Sequence, residues 1–225
     1  TVVPLYHISG WFIPYAATMV GSGQVLPGIR PTPEVLCKLI ESEGVTISDG
    51  VPTIWMNVLE FIKLSSIKYG LSSLKRLILG GSAPSKSLIA AFKEKLGVDV
   101  IHAWGMTETY NSAVACRLKS HLENLVDNAK YEIMAKQGLP FPGIEVSAIN
   151  ERGEFIKWDG RDRGELIIRG AWVVDEYYKD SERTKDSFAS GWLKTGDIAT
   201  IDEEGYIRIV DRSKDLIRSG GEWIS

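Results

Sequence analysis

The residues best equipped for chemistry stand together in Trp104-Gly105-Met106-Thr107-Glu108-Thr109. Two hydroxyls flank a carboxylate, an indole offers a flat apolar face, and a glycine lets main chain approach closely. The Glu108 oxygens are hard ligands of the kind Mg2+ prefers. Ahead of the hexapeptide, Val98-Asp99-Val100-Ile101-His102-Ala103 has the apolar density of a buried strand. Behind it, Tyr110-Asn111-Ser112 is polar and turn-like. The chemistry is therefore expected just past the C-terminal end of a strand, where open α/β sheets bind ligands. Taken alone, the hexapeptide also fits an ordinary strand exit with a surface Glu.

Three other stretches carry usable groups. Gly80-Gly81-Ser82-Ala83-Pro84 joins a strand to a helix, so its glycines admit close main-chain approach and the helix start offers N–H groups. A tight βα turn needs the same residues. Lys194-Thr195-Gly196-Asp197 is expected where a β-rich region turns, and Asp197 can accept two hydrogen bonds from a vicinal diol such as a ribose. An Asx-turn explains it equally. Asp211 to Ser225 is dense in charge, then in glycine; a solvated linker is the usual fate of such a run, but the Leu216-Ile217 pair is unusual for one. His7 and Trp55 each have a structural reading, as an isolated His and as a core residue at helical spacing.

These groups need elements to position them. Thr32 and Pro33 mark the start of a helix whose expected apolar face is Val35, Leu36, Leu39 and Ile40, with Gly44 as its stop. Val45-Thr46-Ile47 reads as a short strand, and Pro52 opens a helix with Ile54, Trp55, Val58, Leu59 and Ile62 inward. Leu74–Leu79 is a strand, and Ser85–Leu96 is an amphipathic helix ended by Gly97. This alternation implies α/β architecture, a parallel sheet flanked by helices. Residues 119–136 read as a helix or as a loop with helical turns. Pro4–Gly10 reads as a strand end and a turn. After Gly138 the pattern shifts to short strands at Ile144–Ile149, Gly164–Arg169, Trp192–Lys194, Ile198–Ile201 and Tyr206–Val210, a small antiparallel barrel-like β-subdomain. The expected division is 1–137, 138–210 and 211–225.

The 225 residues carry a net charge of -3, with 44% hydrophobic and 24% charged side chains, which is ordinary globular composition. No apolar run approaches the roughly 20 residues that span a bilayer, which leaves room only for peripheral membrane contact. No signal peptide is visible. The charge balance argues against nucleic-acid binding. Cys37 and Cys116 lie far apart in no metal-like spacing, which suits a reducing cytoplasm. The chain opens at Thr1 without Met and stops soon after Gly220-Gly221, so it is expected to be a piece of a longer protein. Nothing in the sequence bears on oligomeric state.

Together the stretches resemble the adenylate-forming family of acyl-CoA synthetases, peptide-synthetase adenylation domains and luciferases. Pro4-Leu5-Tyr6-His7, Gly80–Pro84, Trp104–Glu108, Thr195-Gly196-Asp197 and Asp211–Leu216 stand in the family's order and approximate spacing. Val51-Pro52-Thr53-Ile54-Trp55 and the ending from Lys214 to Ser225 are most similar to medium- and long-chain fatty acyl-CoA synthetases. The resemblance implies ATP, Mg2+, CoA and a fatty acid as cofactor and substrates. It implies that Trp104 stacks on adenine and that Gly81, Ser82 and Ala83, with Gly105 and Met106, line the site. It gives Thr107 the α-phosphate, Glu108 the Mg2+, Asp197 and Arg212 the ribose, and His7 the acyl carboxylate. Trp55 would be an acyl gate, and Asp211 and Lys214 a hinge to a C-terminal domain. The family's phosphate loop would precede His7 and its distal lysine would follow Ser225, so the chain alone is not expected to complete the reaction. An aryl-CoA ligase, a peptide-synthetase adenylation domain and a non-catalytic nucleotide-binding fragment are the alternatives.

Overall fold

The structure, a computed structural model, describes residues 1–212, 217–219 and 222–224. Helix α1 spans Ile8–Met19, and its first turn replaces the end of the Pro4–Gly10 stretch that read as a strand end and a turn. His7 caps it, with Nδ1 accepting a hydrogen bond from the Ser9 N–H at 3.2 Å. Its apolar residues surround the axis: Ile8 is buried while Trp11, Tyr15 and Met19 are exposed, and Pro14 sits inside. A helix without an apolar stripe leaves no 3.6-residue period to read.

The next elements follow their end signals. Helix α2 (Pro33–Glu43) is capped by Thr32 Oγ1, which accepts from Val35 N at 3.3 Å, and Gly44 closes it at φ 62°. Its buried face is Leu36, Cys37 and Ile40; Val35, expected inward, is exposed. The first strand, β1, is Ile47–Gly50, two residues later than Val45 suggested. Helix α3 (Pro52–Leu64) buries Trp55 and Val58. Strand β2 is Arg76–Leu79, and α4 (Lys86–Leu96) starts from a Ser85 cap and ends at Gly97, φ 66°. Strand β3 is Asp99–Trp104. Strands β1, β2 and β3 pair in parallel, with Leu77 and Leu79 wholly buried between the helices.

Short strands β4 (Val114–Ala115) and β5 (Leu139–Pro140) then extend the sheet with antiparallel pairing. The parallel pattern is thus confined to its first three strands. Between β4 and β5 lies α5 (Asp127–Met134), in the segment read as helix or loop. The second sheet is wholly antiparallel, in the order β10-β9-β7-β6, from β6 (Ile144–Ile149), β7 (Gly164–Gly170), β9 (Trp192–Ile201) and β10 (Ile207–Arg212). Helix α6 (Ser181–Ser187) and β8 (Phe188–Ala189) precede β9, and β8 pairs with it. The sheet curls into a half-barrel, with register shifts in both the β7–β9 and β9–β10 pairs. Two strand candidates, at 192–194 and 198–201, are one continuous strand, β9.

The sheets meet along a seam at Gln137 and Gly138. Gln137 N donates to Ile207 O at 3.0 Å, and Ile207 N returns to Gly138 O at 2.9 Å. Gln137 Oε1 accepts from Ile209 N at 2.7 Å. The Tyr206 hydroxyl donates to Arg117 O at 2.8 Å and accepts from Lys119 N at 2.9 Å.

Trp55 anchors the first core. Its ring is 0% exposed, stands edge-on to Phe92 at 6.2 Å, and its N–H donates to Asp49 O at 3.2 Å. Removing a ring so enclosed costs about 3–5 kcal/mol. Trp55→Ala is expected to lower the urea midpoint accordingly; a change within about 0.5 kcal/mol would mean that the ring is not a core member.

Candidate active site

Strand β3 delivers Trp104 to a reversal that ends where Ala113 N donates back to Trp104 O at 3.0 Å. Tyr110 and Asn111 turn it with φ of 49° and 95°. Gly105 makes the reversal possible, because a Cβ there would lie 1.8 Å from Asn111 O. The close approach at Gly105 is thus by the chain's own backbone.

The two hydroxyls flanking Glu108 do different work. Thr109 is fully buried, its Oγ1 accepting from Met106 N at 3.0 Å and donating to Met106 O at 3.1 Å. Thr107 is exposed and lines a cavity. Glu108 is held by a segment far along the chain. Val174 N donates to Glu108 O at 3.0 Å, the Tyr177 hydroxyl donates to Glu108 Oε1 at 2.8 Å, and Arg183 Nη2 lies 4.0 Å from the same oxygen. Burial, followed by the bond to Glu108, raises the Tyr177 pKa above its ordinary value, so the phenol stays a donor.

Two cavities flank this reversal. One, of about 600 Å3, is lined by Gly81, Ser82, Ala83, Trp104, Asp197 and Asp211 among others. The second, of about 470 Å3, includes His7, Thr107, Glu108, Asn111, Gly50 and Val51. Gly81, Ala103, Gly105 and Met106 belong to both linings, so the cavities share a wall. The wall is thin because glycine makes half of it.

In the larger cavity Trp104 Nε1 donates to Asp197 Oδ2 at 2.9 Å, which fixes the indole across the mouth of β9. Asp197 does not sit at a turn of the β-subdomain, as its neighbours suggested. Lys194 pairs with Ile167 and Ile198 with Glu165, so Thr195, Gly196 and Asp197 stand opposite Leu166 alone. This bulge re-aims Asp197 while the strand continues. Thr195 Oγ1 ties the bulge down by donating to Leu166 O at 2.8 Å. Arg212 pairs in register with Asp197 across β9–β10, which sets the two positions side by side. Lys214 lies outside the described residues.

On the other side, His7 Nδ1 is spent as the α1 cap, so the neutral ring carries its proton on Nε2. Ser9 Oγ donates to Asn111 Oδ1 at 2.5 Å and ties α1 to the site reversal. Trp55 reaches neither cavity lining; Gly50 and Val51, beside it, line the smaller one.

Sequence reasoning missed several lining groups. His102 lines the larger cavity and is 2% exposed, its Nδ1 within 2.8 Å of Lys136 O and 3.1 Å of Ala135 O. Two carbonyl partners require the proton on Nδ1. Burial drives its pKa below the ordinary histidine value, against a smaller upward pull from those carbonyls. Gln137 also lines this cavity. The only sequence signal for His102 was its place two residues before Trp104; Gln137, Tyr177 and Arg183 gave none.

The residues fit a cation held together with a phosphate, and do not fit a cation held by protein alone. Among the described residues no group of three His, Cys, Asp or Glu side chains could cage a metal. Mg2+ keeps most of its waters and takes one or two carboxylates plus phosphate oxygens, and Glu108, with a side chain 16% exposed in the lining of the smaller cavity, is a carboxylate available for that.

A family model described as AMP-binding enzyme matches residues 1–178. The chain belongs to the AMP-binding enzyme family. It is 46% identical over 225 residues to a long-chain-fatty-acid–CoA ligase of Thermus thermophilus, covering 100% of this chain and 41% of that one. It is 42% identical to a medium-chain-fatty-acid–CoA ligase of Ectopseudomonas oleovorans, covering 100% and 40%. Among AMP-binding structures it is similar to O-succinylbenzoate coenzyme A synthetase from Bacillus subtilis in complex with ATP and magnesium, with a TM-score of 0.83 at 28% identity, covering 100% of this chain and 43% of that one. The chain spans about two fifths of the length of the curated relatives it matches. Among the described residues no helix is long and apolar enough to cross a membrane.

The two threonines separate by experiment. Thr109→Val leaves Met106 N without its partner and is expected to lower stability by about 1–3 kcal/mol, while Thr107→Val stays within about 0.5 kcal/mol. Equal urea midpoints for the pair would contradict the buried role of Thr109. His102 predicts a pH slope. Its depressed pKa means the unfolded chain binds the extra proton first, so stability is full above the unfolded value near 6.5 and falls as pH drops below it. His102→Asn, which keeps a donor near the Nδ1 position, should flatten the decline between about pH 7 and 5; an unchanged slope would assign it to other groups.

Proposed function

We propose that this chain carries the nucleotide- and acyl-binding core of an ATP-dependent fatty acid–CoA ligase. The observation that carries the reading is the shared wall between the two cavities. A nucleoside beside Trp104 and Asp197 and a carboxylate beside His7 would meet across Gly81, Gly105 and Met106. There the carboxylate oxygen attacks the α-phosphorus, a new O–P bond forms, and the bond to the bridging oxygen of pyrophosphate breaks. The CoA thiol then attacks the acyl carbon and AMP leaves. The first step needs no protein nucleophile, so catalysis is positioning and charge stabilisation.

The roles are those that the family resemblance implies, and the placement of the residues supports them. Trp104, held by its bond to Asp197, presents a flat ring for adenine. Asp197 and Arg212, opposed in register, take the ribose hydroxyls. Gly81, Ser82 and Ala83 form the lining on the β2–α4 side. Thr107 donates to the α-phosphate and His7 Nε2–H to the acyl carboxylate. Glu108 would hold Mg2+, which when bound offsets the phosphate charge. Asp211 and Lys214 begin the hinge, and the division at 1–137, 138–210 and 211–225 separates the two binding halves from it. Trp55 backs the Gly50–Val51 side of the smaller cavity from the core.

The relatives favour an aliphatic acid, and the similarity to O-succinylbenzoate coenzyme A synthetase keeps an aromatic acid as the second reading. In the full-length protein, pyrophosphate release should be fastest with a medium or long aliphatic acid in a ladder of carboxylic acids. A benzoate-type acid as best substrate would overturn the fatty-acid assignment. Glu108→Gln should cut acid-dependent ATP–pyrophosphate exchange by about 100-fold at low Mg2+, with partial recovery at high Mg2+. Full activity at low Mg2+ would remove Glu108 from cation binding.

A further inference from the structure

The Glu108 carboxylate meets a unit built by residues 174–184, more than sixty positions along the chain and on the other sheet's side. Val174 N fixes the Glu108 backbone, and the Tyr177 hydroxyl fixes one carboxylate oxygen, Oε1. The unit that aims Tyr177 is internally bonded. Tyr177 N donates to Thr184 Oγ1 at 2.9 Å, Thr184 Oγ1 donates to Asp180 O at 2.7 Å, and Asp180 Oδ1 accepts from Arg183 N at 3.0 Å. Arg183 lies over the Tyr177 ring at 4.0 Å, and Phe188 stands 6.2 Å from its centre. The phenol is therefore clamped from two sides, with its hydroxyl delivered to one oxygen.

The Glu108 side chain turns about three torsions, the last of them broad, and ends in two equivalent oxygens. A cation that must also reach a phosphate needs one of those oxygens in one place. A donor locked onto Oε1 removes much of that freedom and commits this oxygen to the phenol, in a residue that lines the smaller cavity. Partners of this kind orient metal-ligating carboxylates. We propose that Tyr177 is a positioning residue for Glu108: its hydroxyl sets which carboxylate oxygen faces the cation, and α6 with Arg183 holds it there. The proposal rests on the reading of Glu108 as the Mg2+ ligand.

The test uses the full-length protein and Tyr177→Phe, which keeps the ring against Arg183 and Phe188 and deletes only the hydroxyl. Mn2+ binding is read by water-proton relaxation in the presence of an ATP analogue with a methylene between the α- and β-phosphorus. Its dissociation constant should rise about tenfold or more. The Mg2+ concentration for half-maximal ATP–pyrophosphate exchange should rise in parallel, with the rate recovering at saturating Mg2+. Glu108→Gln should weaken Mn2+ binding as well, and adding Tyr177→Phe to it should change nothing further. Unchanged Mn2+ affinity in Tyr177→Phe, with or without a lower thermal midpoint, overturns the positioning role if Glu108→Gln still weakens binding. Unchanged Mn2+ affinity in Glu108→Gln instead overturns the ligand reading on which it rests.

Discussion

The seam at Gln137 and Gly138 holds the molecule's two halves in one geometry. Three backbone bonds and one amide side chain join the end of the first sheet to β10. Gly138 allows it: at φ 105° it passes so close to β4 that a Cβ would lie 2.2 Å from Ala115 O. With the seam in place, the bulge in β9 meets the end of β3, and Trp104 and Asp197 fall within hydrogen-bonding distance. Neither sheet alone has both. The Lys136–Asp202 ion pair reinforces the same line, with both side chains about a quarter exposed.

Local punctuation was legible in the sequence. Thr32, Ser85, Gly44 and Gly97 end or begin helices through side-chain caps and left-handed backbone, effects that act within four residues. The β3 exit was legible for the same reason, and Trp104, Thr107 and Glu108 beside it line the two cavities. What failed depended on distant partners or on a missing period. Helix α1 has apolar groups on every side, so no stripe announced it. Thr195-Gly196-Asp197 has turn composition, but Leu166 across the sheet absorbs it as a bulge. The unequal roles of Thr107 and Thr109 followed from a reversal set by Gly105 and Asn111. Tyr177 became a partner of Glu108 only through the packing of the second sheet.

Most charged pairs lie at the rim. Arg169–Glu145, Lys93–Asp99 and Lys38–Glu34 are exposed pairs of small energetic weight. Polar groups at the cavities are instead held by neutral donors and backbone, as at His102, Gln137 and Thr195. Such bonds lose little to salt screening, so the site's shape is less sensitive to ionic strength than the surface around it. Burial raises the pKa of the Cys37 thiol to about 11 and of the Cys116 thiol to about 12, which keeps both protonated at neutral pH.

The shared wall also bears on how such a protein can diversify. A side chain added at Gly105 collides with Asn111, and one at Gly81 is strained at φ 79° and crowds Val51 at 3.2 Å, so the partition between the cavities tolerates almost no drift. Tyr6, Ile13 and Val51 line the smaller cavity without lining the larger. Evolution can remodel those positions and alter what the smaller chamber admits while the other keeps its shape. The fold thus separates a heritable constant from a heritable variable, and the boundary between them is a few glycines thick.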